Sequence, residues 1–416
     1  MKMHNEPARR IPVYAEVDVV VVGGGAAGAI AAIAAARQGA DTLLVEKQGC
    51  LGGSLTASLK GVINGFRNQR QPNASQSIRG IPREIIYELQ RMDGLGTGPF
   101  DQQEFDLSAG QLSYSYAVDT EKLKLVLLKM AENALCDVLL HTYAVAPILG
   151  PNSSVQGVII ENRSGRQAVF GKVVVDCSDE AEIAYRAGAA FHSIAANDKP
   201  GGEPHLMYKV AGFRTEDAAV FPGILTKGSL VVTGPASSTC GTSAFHVSRA
   251  EIETRTKVLS HFEELRRDYP ALAAASVVET ASALGVMRTR YVQGEHVLTE
   301  HDALSGARFS DVVAISSAPI ANWYGPVKYL DHDGFDVPFR CLIPRSVLGL
   351  IVAGRCISSE QAPYESLSSA ACTMAIGQAA GTAASLTAHR NILPGQINVA
   401  QLQELLAAQG AQLRHD

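Results

Sequence analysis

No two of the seven cysteines form a C-x-x-C pair, so the ligand spacing of a zinc site or an iron–sulfur cluster is missing. Cys50, Cys136, Cys177, Cys240, Cys341, Cys356 and Cys372 are scattered and odd in number. That pattern suggests reduced thiols and a cytoplasmic protein. Basic charge is not in excess either. Lys and Arg number 36 against 41 Asp and Glu, for a formal net charge of −5, which argues against nucleic acid as a partner. The first residues hold no apolar h-region, and Arg9-Arg10 lacks the apolar stretch of an export signal. One uncharged run, 19–36, reaches the 18 residues of a short membrane span. It is made of four valines, three glycines and an alanine-rich tail. Strand, turn and helix are therefore expected there, and no membrane contact. Tryptophan occurs once, whereas glycine occurs 38 times. This is the balance of a nucleotide-binding α/β enzyme rather than a sandwich or a coiled coil. The chain is 46% hydrophobic and 19% charged, so it buries a large interior. Its 416 residues exceed one compact core, and two domains are expected.

The first sixty residues carry the sharpest signal. Residues 18–22 read as a strand buried on both faces. Gly23-Gly24-Gly25-Ala26-Ala27-Gly28 follows and fits G-x-G-x-x-G. Residues 29–38 favour a helix, Gly39 ends it, and 41–45 form a second strand closed by Glu46. Gly23 permits the tight turn, Gly25 clears the approach of a pyrophosphate, and Gly28 lets helix and sheet pack closely. The helix N-terminus then attracts the phosphates. Glu46 lies 18 residues past Gly28, where a carboxylate accepts both ribose hydroxyls and disfavours a 2′-phosphate. Glu46-Lys47 is followed by a second glycine pair in Gly52-Gly53-Ser54-Leu55-Thr56; taken alone, that pair also reads as an ordinary loop.

Together these motifs resemble the two-dinucleotide-binding-domain flavoproteins, FAD-dependent oxidoreductases related to the fumarate reductase flavoprotein type. The resemblance implies FAD as cofactor, with the second glycine pair meeting its pyrophosphate from the other side. Cys50 has no partner five residues on, as a flavin disulfide reductase would require, and no second G-x-G-x-x-G follows a strand. Electrons are thus expected to pass between flavin and a substrate that enters directly.

The middle of the chain is less explicit. Residues 60–116 read as a polar insertion bordering the active site, a candidate lid, with a short helix from Ile81. Residues 119–135 form an amphipathic helix, with Leu123, Val126, Leu127 and Met130 on one face. Strands are expected at 138–140, 144–148, 155–160 and 168–170, the antiparallel ribbon of such domains, with the backbone of Val145 where the family meets adenine. A further strand at 172–175 runs into Asp176-Cys177-Ser178-Asp179, which departs from the family's D-A-T-G beside the FAD. The resemblance places Ser178 in the cofactor set. Cys177 reads better as a small buried thiol than as a redox group. Glu180 and Glu182 open a short helix.

From 191 to 331 the composition shifts to short strands and polar loops around one long helix, 249–269. This stretch reads as the substrate domain. Gly285, Arg290 and Gly294 match the family's G-x-R-E-S-R-R-x-x-G, whereas Met287 and Arg288 depart from it. Arg290 is a candidate carboxylate clamp or, equally, a domain-interface cation. Tyr324, in Asn322-Trp323-Tyr324-Gly325, is a candidate acid or base near the flavin or a packing group. His205 is a comparable candidate, with a solvated loop histidine as the plainer reading.

Val337-Pro338-Phe339-Arg340-Cys341-Leu342-Ile343-Pro344 resembles the family's I-P-Y-R-x-L-x-P and adds Arg340 to the candidate catalytic set. Residues 348–358 resemble N-L-L-V-A-G-R-x-I-S, which puts Gly354 beside the ribityl chain and Arg355 near the phosphates. The family's last helix matches 371–384, with Ala371 and Cys372 at its N-terminus facing the flavin pyrimidine; relatives often carry Arg where Ser368 stands here. The expected fold is α/β: a discontinuous Rossmann-like FAD-binding domain (1–190 and 332–416) with an inserted mixed α+β substrate domain (191–331). The expected function is hydride transfer between a small organic substrate and flavin N5, oxidation favoured. The alternatives are an FAD-carrying electron-transfer subunit and a reductase of activated C=C bonds. No metal is expected, and a homo-oligomer is compatible with the sequence.

Overall fold

The computed structural model describes residues 7–69, 75–97, 112–178, 180–192, 204–214, 223–226, 228–237, 243–285, 290–320 and 327–413. The uncharged run 19–36 folds as strand, turn and helix: β1 (Val13–Val22), the glycine turn, and α1 (Ala26–Arg37). β2 (Thr42–Val45) lies parallel to β1, with Val19 opposite Thr42 and Val22 opposite Val45. Side chains alternate across a strand. Val19 and Val21 therefore enter one core with α1, and Val20 and Val22 enter a second on the far face. That is why the strand is apolar at every position.

β3 (Val62–Asn64), β4 (Leu95–Gly96) and β5 (Ser115–Val118) form a small sheet in the order β3-β5-β4. Between β3 and β4, α2 (Ile81–Arg91) buries Ile81, Ile85, Ile86 and Leu89 in the same core as α1. This part of the expected lid is a fixed wall; 70–74 and 98–111 lie outside the described residues. α3 (Thr120–Asn133) is capped by Asp119, whose carboxylate accepts from the N–H groups of Glu121 and Lys122. β6 (Asp137–Leu139) then joins the parallel sheet beside β2.

The antiparallel ribbon is β7 (Tyr143–Leu149), β8 (Val155–Asn162) and β9 (Gly165–Asp176). Sequence reading divides 168–170 from 172–175, but β9 is one continuous strand. Its first half pairs with β8, and its end pairs with β18 (Leu350–Val352), while β1 runs parallel along its other edge. Gly171 makes this passage fit, since a Cβ there would come within 2.7 Å of the Val20 side chain.

After α4 (Glu182–Arg186), β10 (Phe191–His192) pairs with β15 (Tyr291–Val292), so the inserted stretch leaves and returns at adjacent points. Within it, β11 (Tyr208–Ala211), β12 (Gly223–Thr226), β13 (Ser229–Val232) and β14 (Ser276–Thr280) form an antiparallel sheet in the order β12-β13-β11-β14. α5 (Ala244–Asp268) lies on this sheet through Ala250, Val258 and Phe262. α6 (Glu300–Ser305), β16 (Val312–Ser316) and β17 (Phe335–Pro338) follow. Leu298, Ala303, Val313, Ala314 and Ile320 pack into the first core, so the chain rejoins that core ahead of residue 332.

α7 (Gln361–Leu367), α8 (Ala370–Arg390) and α9 (Val399–Ala408) complete the chain. α8 lies directly on α1 because Gly377 and Gly381 have no side chains. A Cβ on either would stand 2.2 Å from the Ala27 carbonyl oxygen or 2.0 Å from that of Ala31. The architecture is thus a discontinuous α/β domain with mixed α+β insertions. Among the described residues no helix is long and apolar enough to cross a membrane.

Candidate functional site

The glycines of the first turn serve different ends. Gly23 has φ +92°, and a Cβ there would lie 2.8 Å from the Cys177 carbonyl oxygen. At Gly28 a Cβ would lie 1.7 Å from the Gly23 carbonyl oxygen. Packing within the protein demands both. Gly25 is different: its φ is −69°, open to any residue, and a Cβ there would meet nothing within 4 Å. Among the described residues no atom fills the space beside Gly25. Gly25 is also the N-cap of α1, without a side-chain cap and without an acid in the first turn. The N–H groups of Ala26, Ala27 and Gly28 have no intrahelical acceptor and give this end a partial positive charge.

The second glycine pair closes on the first. The Gly52 N–H donates to the Gly24 carbonyl at 2.8 Å, and a Cβ on Gly53 would lie 2.9 Å from the Gly25 Cα. Thr56 is buried and fixes this loop by donating from Oγ1 to the Leu51 carbonyl at 2.7 Å; Ser54 stays half-buried at its edge. Glu46 is buried at the end of β2. Its carboxylate accepts from the Gly24 N–H and, at 2.6 Å, from the Gln48 N–H, so it is held in line with both loops. Lys47 beside it is exposed.

Val145 lies at a bulge. Ala144 pairs with Ile160 and Ala146 with Ile159, which leaves the Val145 backbone outside the ladder. In the 176–179 stretch, the buried Asp176 carboxylate accepts from the Ser178 Oγ at 2.5 Å and from the Ala184 N–H at 2.8 Å. Burial nevertheless raises its pKa. Ser178 Oγ in turn accepts from the Glu182 N–H at 2.7 Å. The start of α4 is thus tied down by Asp176 and Ser178. The left-handed turn falls on Ala181, at φ +48°. Asp179 lies outside the described residues.

The turn after β18 places Gly354 at φ +98°, 3.3 Å (as a built Cβ) from the Ala27 side chain. Arg355 follows, half-buried. At the start of α8, the Asn64 Oδ1 accepts from the Ala370 N–H at 3.0 Å. Ala371 and Cys372 are fully buried, whereas Asn64 and Ser368 beside them are half-buried. Tyr114 bonds to Asn64, and burial pushes its phenol up to about 12. Nothing in the linear sequence signals this Asn64–Ala370 cap, because its partners are 306 residues apart.

The catalytic candidates do not converge. Arg290 stacks on the Tyr185 ring at 3.9 Å, a cation–π contact with α4. Arg340 makes a two-pronged pair with Asp311, at 2.9 and 3.1 Å. Its guanidinium holds the Asp311 carboxyl below the ordinary carboxylate range despite burial. His205 bonds through Nδ1 to the Gly234 carbonyl at 3.0 Å on the inserted sheet. Tyr324 and its neighbours, like Met287 and Arg288, lie outside the described residues. Gly294 permits a close passage: a Cβ there would stand 3.0 Å from the Arg340 carbonyl oxygen. Among the described residues no group of three or more His, Cys, Asp or Glu could hold a metal ion.

A family model described as FAD dependent oxidoreductase matches residues 18–227 and 218–406. Digeranylgeranylglycerophospholipid reductase of Methanoculleus marisnigri is 28% identical over 173 residues, 41% of this chain and 41% of that protein. 3-oxosteroid 1-dehydrogenase of Mycobacterium tuberculosis is 42% identical over 95 residues, 20% of this chain and 16% of that protein. The chain therefore spans less than half the length of these curated relatives. Among solved structures, a geranylgeranyl bacteriochlorophyll reductase-like protein from Thermoplasma acidophilum shares the fold. Its TM-score is 0.52 at 16% identity, covering 95% of this chain and 84% of that one. The chain belongs to the FAD dependent oxidoreductase family, with FAD as its cofactor.

Proposed function

We propose that the protein is an FAD-dependent dehydrogenase of the fumarate reductase flavoprotein type, moving a hydride between a small organic substrate and flavin N5. The observation that carries this reading is the space at Gly25, unfilled by any atom of the described residues and bounded by the second glycine loop and an uncapped helix end. A diphosphate matches the uncapped N–H groups there in charge and hydrogen-bond demand. The first-turn N–H groups at Ala26, Ala27 and Gly28 and the Gly52-Gly53-Ser54 loop hold it, with Thr56 keeping the loop in shape. Glu46 accepts the adenosine ribose hydroxyls, beside Lys47. Val145 offers its unpaired backbone to the adenine. Gly354 and Arg355 border the ribityl chain and phosphates, Ser178 steadies the neighbouring turn, and the Ala371-Cys372 end of α8 lends its dipole from behind Asn64. When bound, the isoalloxazine supplies the hydride acceptor, and the protein supplies position and field.

The inserted sheet brings the substrate. Arg290 and Arg340 are the candidates to orient it, and His205 and Tyr324 the candidates to take its proton. The 42% identical segment shared with a dehydrogenase favours oxidation. A second reading, reduction of an activated C=C bond, is favoured by the longer match to a prenyl-lipid reductase. Anaerobic titration of the yellow holoenzyme separates the two. Bleaching of the flavin by ketosteroids, alcohols or amines supports dehydrogenation. Reoxidation of dithionite-reduced enzyme by α,β-unsaturated ketones or carboxylates, without bleaching by the first panel, supports the reductase.

A further inference from the structure

We propose that α5 is a self-association surface: it pairs antiparallel with α5 of a second copy of this chain, across a twofold axis. The inference goes beyond the redox reading and does not depend on it. α5 runs 25 residues, about 37 Å of helix. Its inner face is occupied, since Ala250, Val258 and Phe262 lie in the core of the inserted sheet. Its outer face holds large apolar side chains in water. Phe245, Ile252 and Leu259 are 65%, 65% and 69% exposed. They recur every seven residues, so one stripe of the helix carries all three.

The residues between them complete a seam. Arg249, Thr256 and Glu263 each fall four residues after an apolar member and are exposed as well. Phe245-Arg249-Ile252-Thr256-Leu259-Glu263 thus advances by alternating steps of four and three. That is the spacing by which one helix receives another. A helix that meets only water on its outer side presents polar residues there throughout. The first two turns need cover most, because residues 243–249 are exposed on every side and a short unpacked helical stretch is marginal.

Charge selects a second copy and its direction. Arg255, Lys257 and Arg266 each meet a carboxylate of their own helix. Arg249 instead stacks on the Phe245 ring at 5.9 Å and forms no ion pair among the described residues. Glu263, near the other end of the seam, receives Arg266 on Oε1. In a parallel pair Arg249 would lie on Arg249 and Glu263 on Glu263, and such like charges repel. An antiparallel pair turns about the middle of the seam, between Ile252 and Thr256. Ile252 then packs on Thr256 of the second copy, and Leu259 on the aliphatic stem of its Arg249. The Arg249 guanidinium stands one helical turn from Glu263 of the second copy, and the twofold makes that contact twice. The face complements itself in apolar order and in charge, as an isologous interface requires.

The test is sedimentation equilibrium of the FAD-loaded full-length protein across micromolar concentrations. The wild type is expected to approach twice its 44.0 kDa. Ile252→Glu sets a charge in the seam and should weaken association by about a hundredfold or more. Arg249→Glu and Glu263→Arg each oppose like charges and should weaken it about tenfold. The double exchange, Arg249→Glu with Glu263→Arg, should restore it to within about threefold of wild type. All these side chains are exposed, so FAD content and the far-ultraviolet circular dichroism should not change. Leu259→Ser serves as the second apolar variant if Ile252→Glu does not fold. A wild type that stays at 44.0 kDa throughout overturns the proposal, as does undiminished association in the apolar variants. A double exchange no better than the single ones overturns the antiparallel pairing.

Discussion

At the scale of single residues, the glycines separate into those the fold needs and one it does not. Gly28→Ala drives a methyl into the Gly23 carbonyl, and a stability loss of about 2–3 kcal/mol is expected from such overpacking. Gly25→Val fills open space instead. Its apo protein should unfold within about 1 kcal/mol of wild type, the range of an N-cap change. Its FAD affinity should fall by about a hundredfold, the equivalent of a ~3 kcal/mol steric penalty. Urea unfolding and calorimetry read the two effects separately, and equal stability losses would contradict the distinction. Asp311 carries a pH prediction. Its folded pKa is depressed by Arg340, so its stabilising contribution is complete above the unfolded value near 3.9. That contribution is lost as pH falls through the lower, folded value. Asp311→Asn should cost on the order of 1 kcal/mol at pH 7, and the gap to wild type should close as pH falls through that lower, folded value. A gap independent of pH would show that the carboxylate charge contributes nothing. The motif spacing made Gly23, Gly25, Gly28 and Glu46 legible from sequence alone. It could not reveal the Asp311 partner of Arg340, which lies on a different element.

At the scale of elements, α1 and α8 are the pair on which the site depends. Both are rich in alanine and glycine, and both are buried almost throughout. Neither shows a polar face, so helix propensity and the family resemblance mark them as helices without saying what they touch. The contact of Gly381 with Ala31 decides it. Gly381→Leu should separate the helices and cost about 3 kcal/mol or more. Chemical denaturation measures this, and an unchanged midpoint would refute the contact. Other elements were readable only in part. The amphipathic α3 emerges from its stripe of Leu123, Val126, Leu127 and Met130. The single strand β9 does not, because its two halves pair in opposite senses and carry different burial patterns. Likewise 60–116 reads as a polar insertion, yet α2 within it belongs to the main core.

At the scale of the whole molecule, the groups assigned to FAD come from distant parts of the chain. The glycine loops lie near the beginning, the Val145 bulge in the ribbon, and Gly354 after β18. A ligand that spans them should hold the two portions of the FAD domain together. Removing FAD should lower the midpoint of thermal unfolding, and restoring it at about 100 times its dissociation constant should return about 2.7 kcal/mol. Scanning calorimetry of apo and holo protein measures this; identical midpoints would mean that these segments share no ligand. By itself the sequence determined the β1–α1–β2 unit, the cofactor and the discontinuous layout. The unit follows from local rules, namely strand patterning, glycine stereochemistry and a carboxylate at fixed spacing; the cofactor and the layout follow from the resemblance of the later motifs to the flavoprotein family. Only the tertiary structure decided how α8 seats on α1, where the inserted sheet is stitched to residues 57 and 58, and which charges find partners. Those outcomes depend on contacts between residues hundreds of positions apart, and no local pattern encodes them.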